Sequence, residues 1–336
     1  MTRAANVIAL AIGDPNGIGP EIAVKAAARL AVDAGPRVVL IGDAHVIRWY
    51  AQRCAPSFEV REGSIDAMPA RSPATLDVLD VDALPADSFR PGEVSAAAGA
   101  ATLAYVRAAL DLARAGRVDA VIACPHSETA INASGTVFAG YPGYVATHLG
   151  LASDDVYLLL IGGGLRIVHA TLHEGLAGAL ARLTSKQVEG AARAAVRAMA
   201  ATGIERPRIG VMGINPHAGE GGLFGREDID VTEPAVAALR EEGIDVVGPQ
   251  GADLLLTRED IDVFVAMYHD QGHIPVKLRA GRNSAAMSIG GDVVFSSVGH
   301  GSGFDIAGQL IADPAPLLGA IGLVTRGESP AVNAKA

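Results

Sequence analysis

Short apolar runs alternate with alanine-rich stretches of helical length along most of this chain, and its polar motifs fall where one gives way to the other. Residues 7–12, 37–41, 119–123, 156–161, 165–171, 208–213, 245–247 and 263–267 read as strands, and 20–30, 44–53, 96–115 and 185–202 as helices. The first helix carries Pro20 and Glu21 in its opening turn, and the third runs out at Gly116. Parallel neighbours need a crossover of a dozen or more residues, which a helix between two strands supplies. The pattern therefore predicts an α/β fold with mainly parallel sheets. Gly162-Gly163-Gly164 splits two of the strands. Residues 62–90, rich in Pro, Ser and Asp, are expected to run over the surface, and the tail 327–336 to be disordered.

A chain of 336 residues, half of them hydrophobic, has room for two domains and a large core. Its formal charge of −10 argues against nucleic acid as a partner, because counterion release needs a basic face. A small anionic substrate needs only local positive charge and stays open. Cys54 and Cys124 form no CxxC pair, so neither a zinc knuckle nor a redox couple is expected, and a reducing cytoplasm is the expected setting. No run reaches the roughly 18 uninterrupted apolar residues of a membrane span. The run 7–12 is too short for a signal peptide.

Four strand-to-loop transitions carry polar motifs: Gly13-Asp14-Pro15-Asn16-Gly17, Cys124-Pro125-His126, Asn215-Pro216-His217 and His269-Asp270. Open α/β sheets bind ligands outside the carboxyl ends of their strands, so the four are expected to point at one cleft. Three histidines stand in polar surroundings: His173 before Glu174, His217 in Asn215-Pro216-His217-Ala218-Gly219-Glu220, and His269 in Tyr268-His269-Asp270-Gln271-Gly272-His273. Three neutral imidazoles suit one divalent transition metal with positions left open for a substrate; zinc, cobalt, nickel, manganese and iron fit better than magnesium. Such an ion lowers a hydroxyl pKa or polarises a carbonyl. A lone histidine is more often an ordinary polar residue, but two of these lie in loops dense with Gly, Pro and acidic side chains. His169 shares strand parity with His173 and either faces the same side or packs.

The loop 13–21 joins a strand to a helix, and its glycines permit a tight turn and close approach of a ligand. It is neither the dinucleotide fingerprint nor a Walker loop, and a plain turn is an equal alternative. The loop 300–308 reads as a second small-residue segment entering a helix, where Ser302 either caps the helix or leaves room for a flat ring or ribose. Lys277, eight residues after His269, can neutralise an anion or relay a proton; taken alone it would be a solvated lysine. Asp253 and Asp270 are candidate bases or partners that orient the histidines, and His126, Ser127 and Glu128 are candidate substrate contacts.

Taken together, residues 13–21, 215–220, 268–272 and 299–302 resemble the 4-hydroxythreonine-4-phosphate dehydrogenase family over nearly the whole chain. The resemblance implies two α/β/α domains like those of isocitrate and isopropylmalate dehydrogenases, with the active site in the cleft between them. The expected division is 1–122 with 275–336 on the cofactor side, and 123–274 on the metal side. It also implies an NAD- or NADP-linked, metal-dependent oxidation and a homodimer whose metal site draws on both subunits. His173, His217 and His269 fall on its metal-ligand positions and Lys277 on a substrate position. The cofactor is then expected at Gly13, Asp14, Gly17, His300, Gly301, Ser302 and Asp305.

The departures are informative. Tyr141-Pro142 stands where the biosynthetic enzymes have a substrate-binding His-Thr pair, and Ala286 and Phe295 stand where they have an Asn and an Arg that hold a phosphorylated substrate. Loss of those donors removes charge-assisted hydrogen bonds that a phosphate needs. Residues 119–131, 164–169, 272–277 and 296–302 are instead similar to the terephthalate dihydrodiol dehydrogenase branch. That branch implies oxidation of 1,2-dihydroxy-3,5-cyclohexadiene-1,4-dicarboxylate to protocatechuate, carbon dioxide and NADH. Tyr141 then joins the expected substrate pocket, and Phe295 is expected to suit the face of a flat ring. The rival readings are a dehydrogenase of 4-phosphohydroxythreonine or of a threonate or erythronate phosphate, and a metal- or nucleotide-binding regulator without turnover.

Overall fold

The computed structural model describes residues 7–65, 74–152, 155–201, 203–281 and 284–326. The expected tail 327–336 lies outside them. In chain order the elements are β1 (Val7–Ala11), α1 (Gly19–Val32), β2 (Arg37–Gly42), α2 (Ala44–Cys54), β3 (Glu59–Glu62), β4 (Thr75–Asp80), α3 (Ala96–Arg114), β5 (Ala120–Ala123), α4 (Glu128–Ala133), α5 (Tyr141–Leu149), β6 (Tyr157–Gly162) and β7 (Leu165–His169). They continue with α6 (Leu176–Arg182), α7 (Ser185–Ala201), β8 (Ile209–Met212), α8 (Glu233–Glu241), β9 (Val246–Gln250), α9 (Ala252–Leu255), β10 (Val263–Ala266), α10 (His269–Ala280), β11 (Ala285–Ile289), β12 (Phe295–Val298) and α11 (Ala315–Arg326). The fold class is α/β, as the strand–helix alternation requires.

The chain forms two compact units. One is Arg3–Tyr144 with Val293–Arg326, and the other is built on Val145–Asp292. The chain passes between them at 144/145 and 292/293, against the expected 122/123 and 274/275.

In the first unit the strands lie in the order β3-β4-β2-β1-β5-β12, every described pair parallel. Ile8, Leu10, Leu40, Ile41, Val121 and Ile122 are fully buried, which is why these strands read as near-continuous apolar runs. In the second unit the order is β11-β6-β7-β10-β8-β9. Here β7, β10, β8 and β9 are parallel, while β6 turns back through Gly162-Gly163-Gly164 to pair antiparallel with β7 and carries β11 antiparallel on its other side. Leu158, Leu160, Ile167, Met212, Phe264 and Val276 form its core. The four strand-end motifs divide two and two. Those after β1 and β5 belong to the first unit, those after β8 and β10 to the second.

One expectation is corrected within 62–90. Its described part holds β4, which pairs with both β2 and β3. Leu76 and Val78 alternate inward with Asp77, and Asp77 is itself buried between two guanidinium groups. Arg37 Nη2 donates to its Oδ2 at 2.9 Å and Arg61 Nη2 to its Oδ1 at 2.5 Å. Removing one partner of a buried ion cluster strands the others, at a cost of roughly 3 kcal/mol before solvent screening. Because both arginines stay partly exposed, Asp77→Ala is expected to lower the unfolding free energy by about 2 kcal/mol in urea titrations. A loss below about 0.5 kcal/mol would place this trio with ordinary surface ion pairs.

Candidate functional site

In the second unit, β7 runs out toward His173 and β10 runs straight into α10, whose first residue is His269. The two imidazoles stand with ring centroids 5.4 Å apart. They border a cavity of about 340 Å3 that Leu172, Glu174, Tyr268 and Asp270 also line. His269 Nδ1 lies 2.6 Å from Asp270 Oδ1. A carboxylate accepts, so it takes the N–H at Nδ1 and leaves the ring's lone pair at Nε2, the form a metal ligand needs. Of the roles open to Asp270, orienting His269 is the one the geometry displays.

Behind His269 stand two more histidines. His273, one helical turn on, stacks on it at 3.7 Å with ring planes 12° apart. His169 is buried, with its Nε2 3.0 Å from His273 Nδ1 and its Nδ1 3.1 Å from the Leu158 carbonyl. Of the two readings of His169, the packed one holds. Gly272 makes this possible, since a Cβ there would lie 2.3 Å from His169 Nε2. Burial pushes the pKa of His169 down to about 4 and that of His273 down to about 3, so both are neutral at physiological pH.

His217 is presented differently. It opens a left-handed run, with φ of 55° at His217, 54° at Ala218, 81° at Gly219 and 46° at Glu220. Side chains resist this region by about 1–2 kcal/mol each, so the turn persists only because something over-determines it. The buried carboxylate of Asp228 does so, accepting from Ile214 N at 2.8 Å, Asn215 N at 2.9 Å and Thr232 Oγ1 at 2.8 Å. His217 Nδ1 meets Glu220 Oε2 at 2.8 Å, the arrangement Asp270 makes with His269. Exposed Asp253 lies near the backbone of the same turn, through Gly251. Among the described residues no three His, Cys, Asp or Glu side chains converge on one point. The chain brings His173 and His269 together, without His217.

Lys277 lies two turns along α10 from His269, on the same face. Its Nζ donates to the buried Ser284 Oγ at 2.9 Å, and partial burial lowers its pKa.

In the first unit the loops after β1 and before α11 meet. Gly13 adopts φ 75°, and a Cβ there would lie 2.3 Å from the Pro125 carbonyl oxygen. Asp14 N donates to that carbonyl at 2.9 Å, and Ile18 N donates to Ser302 O at 2.8 Å, so Gly13, Asp14, Gly17 and Ser302 belong to one knot. Asn16 locks a third loop onto it, accepting Arg90 N at Oδ1. Gly301 and Asp305 are exposed beside it, and His300 is half-buried. The expected helix entry at 300–308 is corrected: turns follow Ser302, and α11 starts at Ala315. Ser302 caps nothing. Its Oγ, Asn16 Nδ2 and Asp14 Oδ2 are buried without a hydrogen-bond partner among the described residues. Such atoms are rare in folded proteins and call for water, an ion or a ligand.

His126 packs on Tyr141 at 4.3 Å, and Tyr141 on Phe295 at 5.1 Å, with Phe138 against the first two rings. Glu128 is exposed in the first turn of α4, behind the Ser127 cap. Tyr141 is only 3 % exposed, and Phe295 is 0 % exposed. The expectation that Phe295 receives the face of a substrate ring is therefore corrected: its ring is core.

The profile of the family described as pyridoxal phosphate biosynthetic protein PdxA matches residues 34–324. The chain belongs to the PdxA family. It is 46% identical over 324 residues to a 1,2-dihydroxy-3,5-cyclohexadiene-1,4-dicarboxylate dehydrogenase from Comamonas sp, covering 96% of this chain and 98% of that one. A crystal structure of a terephthalate 1,2-cis-dihydrodiol dehydrogenase from Burkholderia xenovorans LB400 is 68% identical, with a TM-score of 0.71 over 97% of this chain and 99% of that one. A 4-hydroxythreonine-4-phosphate dehydrogenase from Klebsiella pneumoniae is 35% identical with a TM-score of 0.85, over 97% and 99%. These PdxA-family relatives are dehydrogenases.

Three residues with a part in the site, His273, Ser284 and Asp228, carry no role that the sequence alone assigns. The four-residue spacing of His269, His273 and Lys277 is a visible signal for the first. For Ser284 and Asp228, which act through the fold, there is none.

Two outcomes follow. Phe295→Arg would enclose a charge in an apolar slot, and the variant is expected to lose about 3–5 kcal/mol, seen as a collapsed melting temperature or insoluble protein. Asp14 gives a pH signature. Burial raises its pKa from 3.8 to about 6, against the lowering effect of the Asn16 and Gly17 amides. Between those values the folded protein holds a proton that the unfolded chain has released, so stability falls as pH rises to about 6 and then levels off. Asp14→Asn, which cannot ionise, is expected to gain up to about 3 kcal/mol on the wild type above that pH and nothing near pH 4. Urea midpoints at both pH values would show it, and a gain independent of pH would rule out Asp14 as its source.

Proposed function

We propose that the protein oxidatively decarboxylates 1,2-dihydroxy-3,5-cyclohexadiene-1,4-dicarboxylate, with NAD or NADP as hydride acceptor, to protocatechuate, carbon dioxide and the reduced nicotinamide. The reading is carried by the enclosed aromatic packing of Tyr141 against Phe295, at the positions where phosphate-handling members are expected to need polar and cationic groups. A buried phenyl ring cannot replace a guanidinium opposite a phosphate. The PdxA-family relatives that act on the dihydrodiol support it as well.

The donor set fits a divalent transition metal. His269 and His217 each have a carboxylate on Nδ1, and His173 adjoins His269. We assign His173 and His269 of one subunit and His217 of a second copy as its ligands, in a homodimer. The nicotinamide cofactor is assigned to the knot of Gly13, Asp14, Gly17 and Ser302 with neighbouring His300, Gly301 and Asp305, whose buried unpartnered atoms fit a polar ligand. When bound, the metal supplies Lewis acidity at a substrate hydroxyl, and the nicotinamide accepts the hydride.

The chain's own groups hold and orient. Lys277, pinned by Ser284, meets a substrate carboxylate with an ammonium already partly out of water, where its attraction is stronger. Asp270 and Glu220 hold imidazole rings in one tautomer. In the substrate, hydride loss at the hydroxyl-bearing carbon beside the carboxylated one leaves a ketone β to that carboxylate. Carbon dioxide departs, and the electron pair it leaves becomes the enolate of a phenol. Aromatisation drives the step.

Purified protein stripped with a chelator and reloaded with zinc or cobalt is expected to form NADH and protocatechuate from the cis-dihydrodiol, and none from 4-phosphohydroxythreonine. His269→Ala is expected to remove at least about 100-fold of that rate. Turnover of the phosphate ester alone would overturn the reading.

A further inference from the structure

His269, His273 and Lys277 stand on one face of α10, each about 6 Å from the next along the axis. The outer two have proposed roles, and the middle one is held from behind in a single hydrogen-bonding state. The Leu158 carbonyl can only accept, so His169 Nδ1 donates to it, and the other ring nitrogen, Nε2, is left to meet His273. His273 Nδ1 faces that nitrogen at 3.0 Å and the His269 carbonyl at 3.2 Å. Its Nε2, on the opposite edge of a half-buried ring, takes no hydrogen bond among the described residues and is the ring's open position. A backbone carbonyl on β6 thus determines, through two imidazoles, which nitrogen the middle of this face leaves open.

We infer that His273 is a substrate-contacting residue whose Nε2 accepts a hydrogen bond from the second hydroxyl of a vicinal diol, the one that is not oxidised, and thereby selects diols over single alcohols. The inference rests on the proposed function, since it takes His269 as a metal ligand and Lys277 as a carboxylate anchor. An imidazole whose Nδ1 is already engaged suits this role because its remaining nitrogen can meet a hydroxyl. The kinds of group suit it too, because a ring diol with a carboxylate presents an oxidised hydroxyl, a neighbouring hydroxyl and an anionic group within one small molecule.

The test uses the aromatic product, which keeps both hydroxyls, and an analogue lacking the one assigned to His273. Zinc-loaded protein with NADH is titrated calorimetrically with protocatechuate and with 3-hydroxybenzoate, after zinc content is checked in each variant. Wild type is expected to prefer protocatechuate by about tenfold, the worth of one hydrogen bond in a site shielded from water. His273→Leu is expected to bring the preference within about twofold while binding 3-hydroxybenzoate as before, and His273→Gln, which offers an amide oxygen, to restore part of it. A full preference retained in zinc-loaded His273→Leu would overturn the inference and leave the proposed function standing. Failure of wild type to bind either compound would overturn both.

Discussion

The seating of α10 against β6 and β7 is the contact from which the second unit's chemistry follows. It depends on Gly272, where any side chain would occupy the space of His169 Nε2. With that space kept, the Leu158 carbonyl reaches His169, His169 reaches His273, and His273 lies flat against His269. The helix also carries Lys277 to Ser284, just ahead of β11. Backbone position, ring tautomer and ammonium placement are thus set by one packing contact.

Buried carboxylates play three distinct parts. Asp77 meets two guanidinium groups and closes an edge of the first unit's sheet. Asp228 is saturated by two backbone amides and a hydroxyl, and so holds a left-handed turn that its residues would otherwise leave. Asp14 differs from these two. One of its oxygens serves the turn while the other has no partner among the described residues, and burial lifts its pKa. A saturated carboxylate stabilises a fold. One with an open oxygen holds unspent hydrogen-bonding capacity, the condition expected of a binding group.

Much of this fold was legible because strands buried on both faces must be apolar throughout, and β1, β2, β5, β6 and β10 announce themselves that way. β4 was hidden because Asp77 and Asp80 make it resemble a loop in composition, although Leu76 and Val78 alternate inward. α10 was hidden for the opposite reason: Gly272 and Pro275 are helix breakers in isolation, and only the packing against His169 explains why a glycine stands there. The candidate ligands were legible as residue types in polar loops. Their geometry was not, since nothing local predicts three side-chain-bearing residues in left-handed conformation around His217. Phe295 belongs to the core and not to a pocket, a distinction the sequence does not carry, because a departure from a pattern reveals which group is missing but not whether its replacement faces a ligand.

The enclosure of Phe295 and Tyr141 bears on how they could affect the choice of substrate. If Phe295 and Tyr141 lined a pocket, they would contribute specificity through contact, and a modest change of side chain would retune it. Enclosed as they are, they place packed aromatic rings where the phosphate-handling members are expected to carry polar and cationic groups. Under the proposed function such discrimination is a matter of absent donors, and positive recognition of the substrate falls to the second unit. There the available groups are the Lys277 ammonium, imidazoles held by hydrogen bonds and, bordered by His173 and His269, a cavity of about 340 Å3.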